Sequence, residues 1–523
     1  MDGAEGCLWP RWLFLRTLGL IFFSGFYALA FQIRGLIGER GILPAGLYLD
    51  RISAVFGPLT RLWFAPTLLW VNSNDWALTL IVVAGLVTSV LLVVNVWPRL
   101  TTALCTVLFL SCIAALQDFS SYQSDGMLLE AGFLSIFFAP RGLRPGLGPT
   151  DPPSRFSLFM LRWEWFRIYF ESGLVKLLSG DPHWRNFTAM DDYYQNAPLP
   201  SWMGWYVQQL PHWYHAGTVI ITLGAELFLV WAVFLPRRFR VACFLFVTAL
   251  QVGIIATANY GFLNYIVLAL GVLLLDDRAL ARVGFPAVAS VTRENTLRFR
   301  IHRRAETAIL GVAFYATIVA FVLGGSRSLL ALPYRLLEPF RIANAYGLFA
   351  VMTPARYEIE FQGSNDGKSW VAYRFRYKPQ DPKERPGFYG PYQPRFDWNL
   401  WFASLAPWDT SPWVVLTEER LLEASPSVLG LFRSDPFDGK KPAMVRTILW
   451  QYWFTDLQTK RATGAWWRVV AQKRARAIQP RRDAHGGWQD GGRRLVTPLT
   501  ARHPTRRVAS MPSAYQCALC APC

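Results

Sequence analysis

Nine apolar runs within the first 323 positions decide what this chain can fold into. A helix crosses a bilayer when about 20 successive residues are mostly apolar, because lipid offers nothing to an open backbone. The first run covers residues 13–33, with Arg16 near its start. It is longer than a signal-peptide core and lacks a small-residue cleavage site, so it reads as a retained helix. The others are 77–96, 101–117, 127–139, 156–178, 216–235, 239–258, 262–275 and 305–323. The run 127–139 is a short span or a re-entrant segment. The expected fold is a polytopic α-helical membrane protein with eight or nine transmembrane segments.

Composition agrees. The 523 residues are 53% hydrophobic and include 23 Trp, 37 Phe and 20 Tyr. Charged residues make up 17%, below the soluble average of about 25%. The formal charge of +18 suits basic loops left on the cytoplasmic side of a membrane. It does not point to nucleic acid, because the basic residues sit in short loops and in the tail rather than on one folded face.

Placing Arg11 and the N-terminus, residues 1–12, in the cytoplasm tests the positive-inside rule. The cytoplasmic loops then hold Arg99; Arg141, Arg144 and Arg155; Arg237, Arg238 and Arg240; and the basic run 278–304. The other side receives 34–75, the loop at Ser120, the stretch after Lys176, and Asn259. The alternation holds at each turn and supports nine crossings within a transmembrane domain of 13–323. It sends everything after Gly324 to the non-cytoplasmic side.

There, residues 334–477 read as a soluble β-rich or α+β domain. Residues 356–361 and 370–377 alternate as half-buried strands, with a turn at Asn365-Asp366-Gly367 between them. Residues 413–422 and 426–432 look helical, and 446–454 and 466–471 look like strands. The tail, 478–523, is basic and aperiodic and is expected to be disordered.

Ionisable residues within membrane segments are costly and are functional candidates by default. Here they are Glu130, Glu164, Arg167, Glu171, Lys176 and Glu226. Glu164, Arg167 and Glu171 are spaced three and four apart, on one helix face, as an internal ion-pair ladder would be. Such a ladder orders a bundle, and that structural role is the leading expectation. Lys176 lies five residues beyond Glu171, about 140° round the wheel, at a helix end from which it can snorkel to the interface. If buried instead, it would be a candidate base.

Three of the six histidines, His183, His212 and His215, share one outer loop. A metal site there would need Asp191 or Asp192, and no metal-binding motif supports one. The alternative is a proline-led helix start with Trp213 and Tyr214 as interfacial anchors. Cys105, Cys112 and Cys243 fall in apolar runs, where a thiol is usually a small hydrophobe. Cys517, Cys520 and Cys523 end the chain as C-x-x-C-x-x-C without a fourth ligand, and Cys7 stands alone. No nucleophile elbow and no phosphate loop is present. No metal and no cofactor is expected.

Several stretches look familiar together: LIGERGILP (36–44), DGMLLEAGFLSIFFAP (125–140), ESGLVKLLSGDPHWRNFTAM (171–190), PLPSW (198–202), FRIANAYGLFAVMT (340–353), YEIEFQGSNDGKSW (357–370), RYKPQDPKERPGFYGPYQPRFDWNLWFASL (376–405) and DPFDGKKPAMVR (435–446). In this order they resemble the lipase maturation factor family over residues 10–470. The signature loop is carried by Gly180, Asp181, Trp184, Arg185 and Pro198. The resemblance implies a polytopic membrane protein, in animals of the endoplasmic reticulum, that helps dimeric lipases fold and assemble. It also implies that the part engaging the client is the C-terminal domain. Many members have a Tyr-His-Tyr-Glu-Thr-Gln run before Pro-Leu-Pro. Here Tyr193 and Gln195 stand at the His and Glu positions, which argues against acid–base work by that loop. Asn186-Phe187-Thr188 matches a glycosylation acceptor, while the compact loops would equally suit a bacterial inner membrane. The membrane half is also distantly similar to the helical part of vitamin K-dependent carboxylase, in which a lysine near a corresponding helix end acts. Only Lys176 carries over.

Two readings follow. In the first, a folding factor without chemistry of its own holds a secreted client, such as a lipase, on the outer domain beside the bilayer. Asp397, Trp398, Trp401 and Phe402, with Trp408, are the candidate client-binding residues, although aromatic residues of this kind are more often core. In the second, an intramembrane enzyme acts on a quinone or lipid-like substrate in a cavity around Lys176, Glu130 and Glu171.

Overall fold

The computed structural model describes residues 6–120, 122–288, 297–324, 326–405 and 411–474. Trp408, part of the basic run 278–304, the basic tail and its three cysteines lie outside the described residues.

Each apolar run coincides with a helix. These are α1 (Leu8–Ile37), α4 (Asp75–Val93), α5 (Pro98–Ala115), α6 (Gln123–Phe138), α7 (Arg155–Leu178), α8 (His212–Leu227), α9 (Arg237–Thr257), α10 (Leu263–Gly271) and α11 (Leu297–Leu323). Two short helices, α2 (Ala45–Val55) and α3 (Pro58–Phe64), lie between α1 and α4, and α12 (Leu332–Leu337) follows α11. Six helices are long and apolar enough to cross a membrane: Leu8–Ile37, Asp75–Val93, Pro98–Ala115, His212–Phe234, Arg237–Thr257 and Arg300–Leu323. The other three fall short for different reasons. α7 has the length, 24 residues, but carries the charges. α6 has 16 residues, about 24 Å at 1.5 Å each, against a core of about 30 Å. α10 with its 3-10 extension covers only Leu263–Leu274.

One end of the bundle holds a cluster of arginines. Arg11 of α1 donates to the carbonyls of Asp151 and Leu147 at 2.7 Å each. Arg99 and Arg141 meet Glu306, in the first half of α11, at 3.3 and 3.8 Å. Arg237 and Arg240 flank Asp276. The opposite end, where α1, α5, α7 and α11 finish, receives the C-terminal region.

That region is built on an antiparallel sheet of order β2-β1-β3-β4, with β1 Arg356–Ser364, β2 Val371–Ala372, β3 Met444–Phe454 and β4 Trp467–Arg474. The long β1–β3 pairing runs from Arg356↔Tyr452 to Ser364↔Met444. The expected turn is present. The Asp366 carboxylate accepts from the backbone N–H groups of Lys368 and Ser369 at 2.8 and 2.7 Å, and Gly367 takes φ +70°. These donors hold the Asp366 carboxyl well below the usual range.

Three local expectations change. The strand read over 370–377 pairs with β1 only at Val371 and Ala372; Tyr373 and Phe375 keep the alternating burial, but Arg374 bridges to Ser434 instead. The helix read over 426–432 covers only Pro426–Leu429. Residues Arg395–Ser404, without a helical reading in the sequence, form α13, ahead of α14 (Pro412–Leu422).

The two halves share one apolar interior. A continuous buried cluster runs from Phe14 and Phe22 of α1 through Phe109 and Phe262 to Tyr346, Phe361, Phe396 and Val445. Polar clamps reinforce it. Gln32 of α1 donates to the Gln393 carbonyl at 2.9 Å, and Arg395 grips Asp125 of α6 with two bonds of 2.7 Å.

Candidate functional site

The intramembrane charges do not form the ladder that their helix spacing suggests. Arg167 pairs with Glu130 of α6, the next helix over. Its other terminal nitrogen donates to the Asn344 carbonyl at 2.6 Å, and its guanidinium lies 5.2 Å from the Tyr346 ring centre. Glu171 faces a different donor, the backbone N–H of Tyr346 at 2.7 Å. Glu164 is fully buried, and neither of its oxygens makes a hydrogen bond. The ladder fails because residues sharing a helix face need not share a partner. The facing helix and an inserted segment offer better geometry.

That segment is 341–352, the connection from α12 to β1. It enters the bundle where uncapped backbone would otherwise meet lipid, and the charged residues satisfy it. Glu130 accepts from the Tyr346 hydroxyl at 2.9 Å and from the Asn344 amide at 3.0 Å. The N–H of Gly347 goes to Gln123, that of Leu348 to Ser172 and that of Met352 to Asp181, at 3.1, 3.2 and 2.6 Å. Gly126 leaves room for it, since a Cβ there would stand 2.8 Å from the Asn344 side chain. The charged cluster is therefore a socket, and irregular backbone is tolerated at that depth because protein covers it.

Lys176 does not snorkel to the interface. It is buried, with its ammonium 2.9 and 2.8 Å from the two oxygens of Glu226 on α8 and 5.1 Å from the Trp184 ring centre. The partner on α8 and the indole lid replace water, which removes the reason to reach outward. A cavity of about 110 Å³ lies elsewhere, lined by Asn259, Tyr260, Gly261, Asn264, Tyr265 and Phe388 among others. None of its lining residues belongs to the charged cluster.

The signature loop locks the same segment. Asp181 caps the short helix Pro182–Arg185 through the N–H of His183 at 2.9 Å, and its second oxygen takes the N–H of Met352. Trp184 donates to the Phe349 carbonyl at 2.9 Å. Gly180 takes φ +78°, which a side chain would resist, and Arg185 lies exposed. The Pro198 carbonyl accepts from buried Arg356 at 3.1 Å, beside the carbonyls of Gln195 and Ala197. Tyr193, at the family's His position, is buried against Tyr260 and Phe349.

The histidines part company. His212 meets Asp191 at 3.0 Å, His215 turns to the Leu210 carbonyl, and His183 faces Thr188. Among the described residues no three His, Cys, Asp or Glu side chains come together to hold a metal ion.

The four candidate client-binding residues divide by burial. Asp397 is buried, accepting from the N–H groups of Tyr377 and Lys378 at 3.1 and 3.2 Å. Burial pushes its carboxyl up to about 6. Trp398 is buried and stacks on Tyr122 of the bundle at 5.2 Å, so both residues are packing rather than surface. Trp401 is half-buried and donates to the Asn196 carbonyl at 3.0 Å. Phe402 is open to solvent at 44% exposure, one turn before exposed Leu405. A helix seated on the membrane half buries the face turned toward it, and that decides which aromatic residues remain outside.

Sequence reasoning missed three partners. Asn344 and Tyr346 are uncharged and lie outside every apolar run, so hydropathy gave no sign of them. Arg395 sits in a quoted motif, but its partner Asp125 is 270 residues away.

The family model described as lipase maturation factor transmembrane domain matches residues 9–282, and the lipase maturation factor C-terminal domain matches 342–476. Lipase maturation factor 1 of Mus musculus is 31% identical over 498 residues, covering 88% of this chain and 86% of that protein. Lipase maturation factor 1 of Homo sapiens is 29% identical, with the same shares covered. Lipase maturation factor 2 of Gallus gallus is 30% identical, covering 88% of this chain and 80% of that protein. No solved structure matches the chain.

Proposed function

The chain belongs to the lipase maturation factor family, and from that premise we propose that it assists the folding, assembly or maturation of a secreted, lipase-type client outside the cytoplasm. The carrying observation is the socketed connection. Segment 341–352 is tied to Glu130, Glu171, Ser172 and Asp181, so the C-terminal region is held at one set height above the bundle. A rigid platform of this kind suits recognition of a partly folded chain near a membrane. The client-facing part lies within 334–477, with Phe402 and Leu405 at the end of α13 as its exposed apolar contacts.

Nine crossings, the number that the alternation of basic loops favours, would put this region on the non-cytoplasmic side. The gathering of Arg11, Arg99, Arg141, Arg237 and Arg240 at the other end supports that orientation. In a eukaryote the membrane is that of the endoplasmic reticulum; in a bacterium it is the inner membrane. The lipase as client comes from the names of the relatives.

The test is secreted lipase activity from cells that lack their own maturation factor. The full chain is expected to restore activity. Phe402→Asp with Leu405→Asp is expected to abolish it while the protein stays inserted and folded. A client that matures equally well with the doubly substituted chain would sink this surface, and no rescue by the full chain would sink the function.

The enzyme alternative requires Lys176 as a free base. Its ammonium is held by both oxygens of Glu226, so the pair reads as structural. Replacing a buried ion pair by apolar residues of similar volume is often neutral. Lys176→Met with Glu226→Met is therefore expected to keep maturation activity. Loss of activity in a stable double variant would revive catalysis.

A further inference from the structure

Two helices at the C-terminal-region end of the bundle leave most of their large apolar side chains outside the protein's interior. α3 contains Leu59, Leu62, Trp63 and Phe64, yet none of its seven residues is buried. Leu59 is 84% exposed. A helix this short depends on its surroundings, since isolated helices below about 12–15 residues are marginal, and inside the protein it rests on little more than the contact of Phe64 with Phe56 at 5.0 Å and of Arg61 with Trp70. The stretch 329–337 repeats the pattern. Leu329 is 83% exposed and Leu330, Leu332 and Leu336 are also exposed, while Ala331 and Tyr334 are buried against Ala316, Val319 and Ala320 of α11.

The two stretches lie side by side, with Trp63 donating its indole N–H to the Leu336 carbonyl at 3.1 Å. The second is joined to α11, because the Tyr315 hydroxyl donates to the Leu330 carbonyl at 3.1 Å. Tyr315 stands among Val312, Ile318 and Val322, the exposed apolar residues of a helix long enough to cross the membrane. One apolar surface therefore continues from the lipid-facing side of α11, around its C-terminal end, onto α12 and α3. Arginines border it. Arg61 stacks on Trp70, and Arg335 donates to the Ser328 carbonyl. Neither forms an ion pair with a carboxylate among the described residues, and both residues are partly exposed.

We propose that α3 and the stretch 329–337 lie flat in the headgroup zone of the leaflet on the C-terminal-region side. Their leucines and Trp63 reach the acyl boundary, and Arg61 and Arg335 meet lipid phosphates. Membrane-surface helices share this division, with an apolar face in the acyl boundary and cations at the headgroups. The occupant is lipid rather than a client because the surface is continuous with a face already in the bilayer. The consequence is mechanical: α12 leads straight into segment 341–352, so a surface contact there sets where the C-terminal region stands relative to the bilayer. This inference needs the membrane setting but no lipase.

The test uses the full chain in phosphatidylcholine nanodiscs, with and without phosphatidylglycerol. Cys517, Cys520 and Cys523 are replaced by serine so that a single introduced thiol is labelled. Leu59→Cys and Leu329→Cys each carry an environment-sensitive fluorophore. Val312→Cys serves as the lipid-facing reference and Lys440→Cys as the aqueous one. Because neither Leu59 nor Leu329 is buried, the substitutions leave the fold intact, and circular dichroism checks this. The expected result is blue-shifted emission at positions 59 and 329, quenched by spin-labelled lipid as at 312, with labelling by a charged maleimide lost relative to 440. Water-like emission and full labelling at both positions would overturn the proposal. So would protection that appears only with a bound client, or cross-links between two copies through position 59.

Discussion

At the scale of single residues, the buried charges separate into those that carry a partner and those that do not. Glu130 is the ion-pair partner of Arg167, and both are buried. Glu130→Gln leaves a guanidinium in the interior with only neutral partners, and removing one member of a buried pair costs about 3–5 kcal/mol. Glu164 makes no such bond, so Glu164→Gln is expected to be neutral or stabilising. Thermal unfolding in detergent distinguishes the two. Outside the membrane, Glu418 of α14 is buried and accepts from Thr447 of β3. Burial pushes its carboxyl from the ordinary 4.5 up to about 7. The folded state therefore holds its proton more tightly than the unfolded state does. The stabilisation is complete below about pH 4.5 and is lost as pH rises toward 7. Glu418→Gln has no such loss. Its melting temperature should match the parent's at pH 4.5 and exceed it at pH 8, by the equivalent of roughly 1–3 kcal/mol at 1.36 kcal/mol per pH unit. A gap that does not change with pH would refute this.

At the scale of elements, α1 and α4 meet at Gly85, where a Cβ would stand 2.3 Å from the Phe26 ring. The phenyl ring is itself held by Phe22 and Phe109, so it has nowhere to go. Gly85→Ala is expected to cost about 1–3 kcal/mol by overpacking. Gly311 of α11 faces open space, and Gly311→Ala should gain up to about 1 kcal/mol from helix propensity. Equal melting temperatures for the two variants would show that the helices separate more easily than this contact implies. The apolar period made these helices legible in the sequence, because a span must be apolar throughout. It could not reveal α13, whose residues RFDWNLWFAS mix buried and exposed positions according to what lies beneath. Nor could it show that Asp397 and Trp398 are packing, since Tyr122, the ring under Trp398, arrives from another part of the chain.

At the scale of the molecule, the hold between Arg395 and Asp125 joins the two halves. Arg395→Met strands a buried aspartate and should cost about 3–5 kcal/mol, whereas Arg395→Met with Asp125→Leu should recover most of it. Limited proteolysis reads the outcome directly. The single variant is expected to be cut within 341–352 sooner than the parent, and the double variant is not. If single and double variants are cut alike, the ion pair does not dock the halves. Together with the socket, this contact makes one body of a chain whose sequence divides into an apolar half and a strand-bearing half.

By itself the sequence determined the nine apolar helices, the turn at Asp366-Gly367, the strand-bearing C-terminal region and the family. These rest on local properties: hydropathy over a span, turn chemistry, and motif order. Only the tertiary structure decided the partners. Arg167 turned to Glu130 instead of its helix neighbours, Lys176 closed on Glu226, and segment 341–352 entered the bundle. A buried charge goes wherever its desolvation is best offset. In this chain those partners lie on other elements, 37 residues away for Glu130, 50 for Glu226 and 175 for the Tyr346 N–H that meets Glu171. No helix spacing encodes that distance.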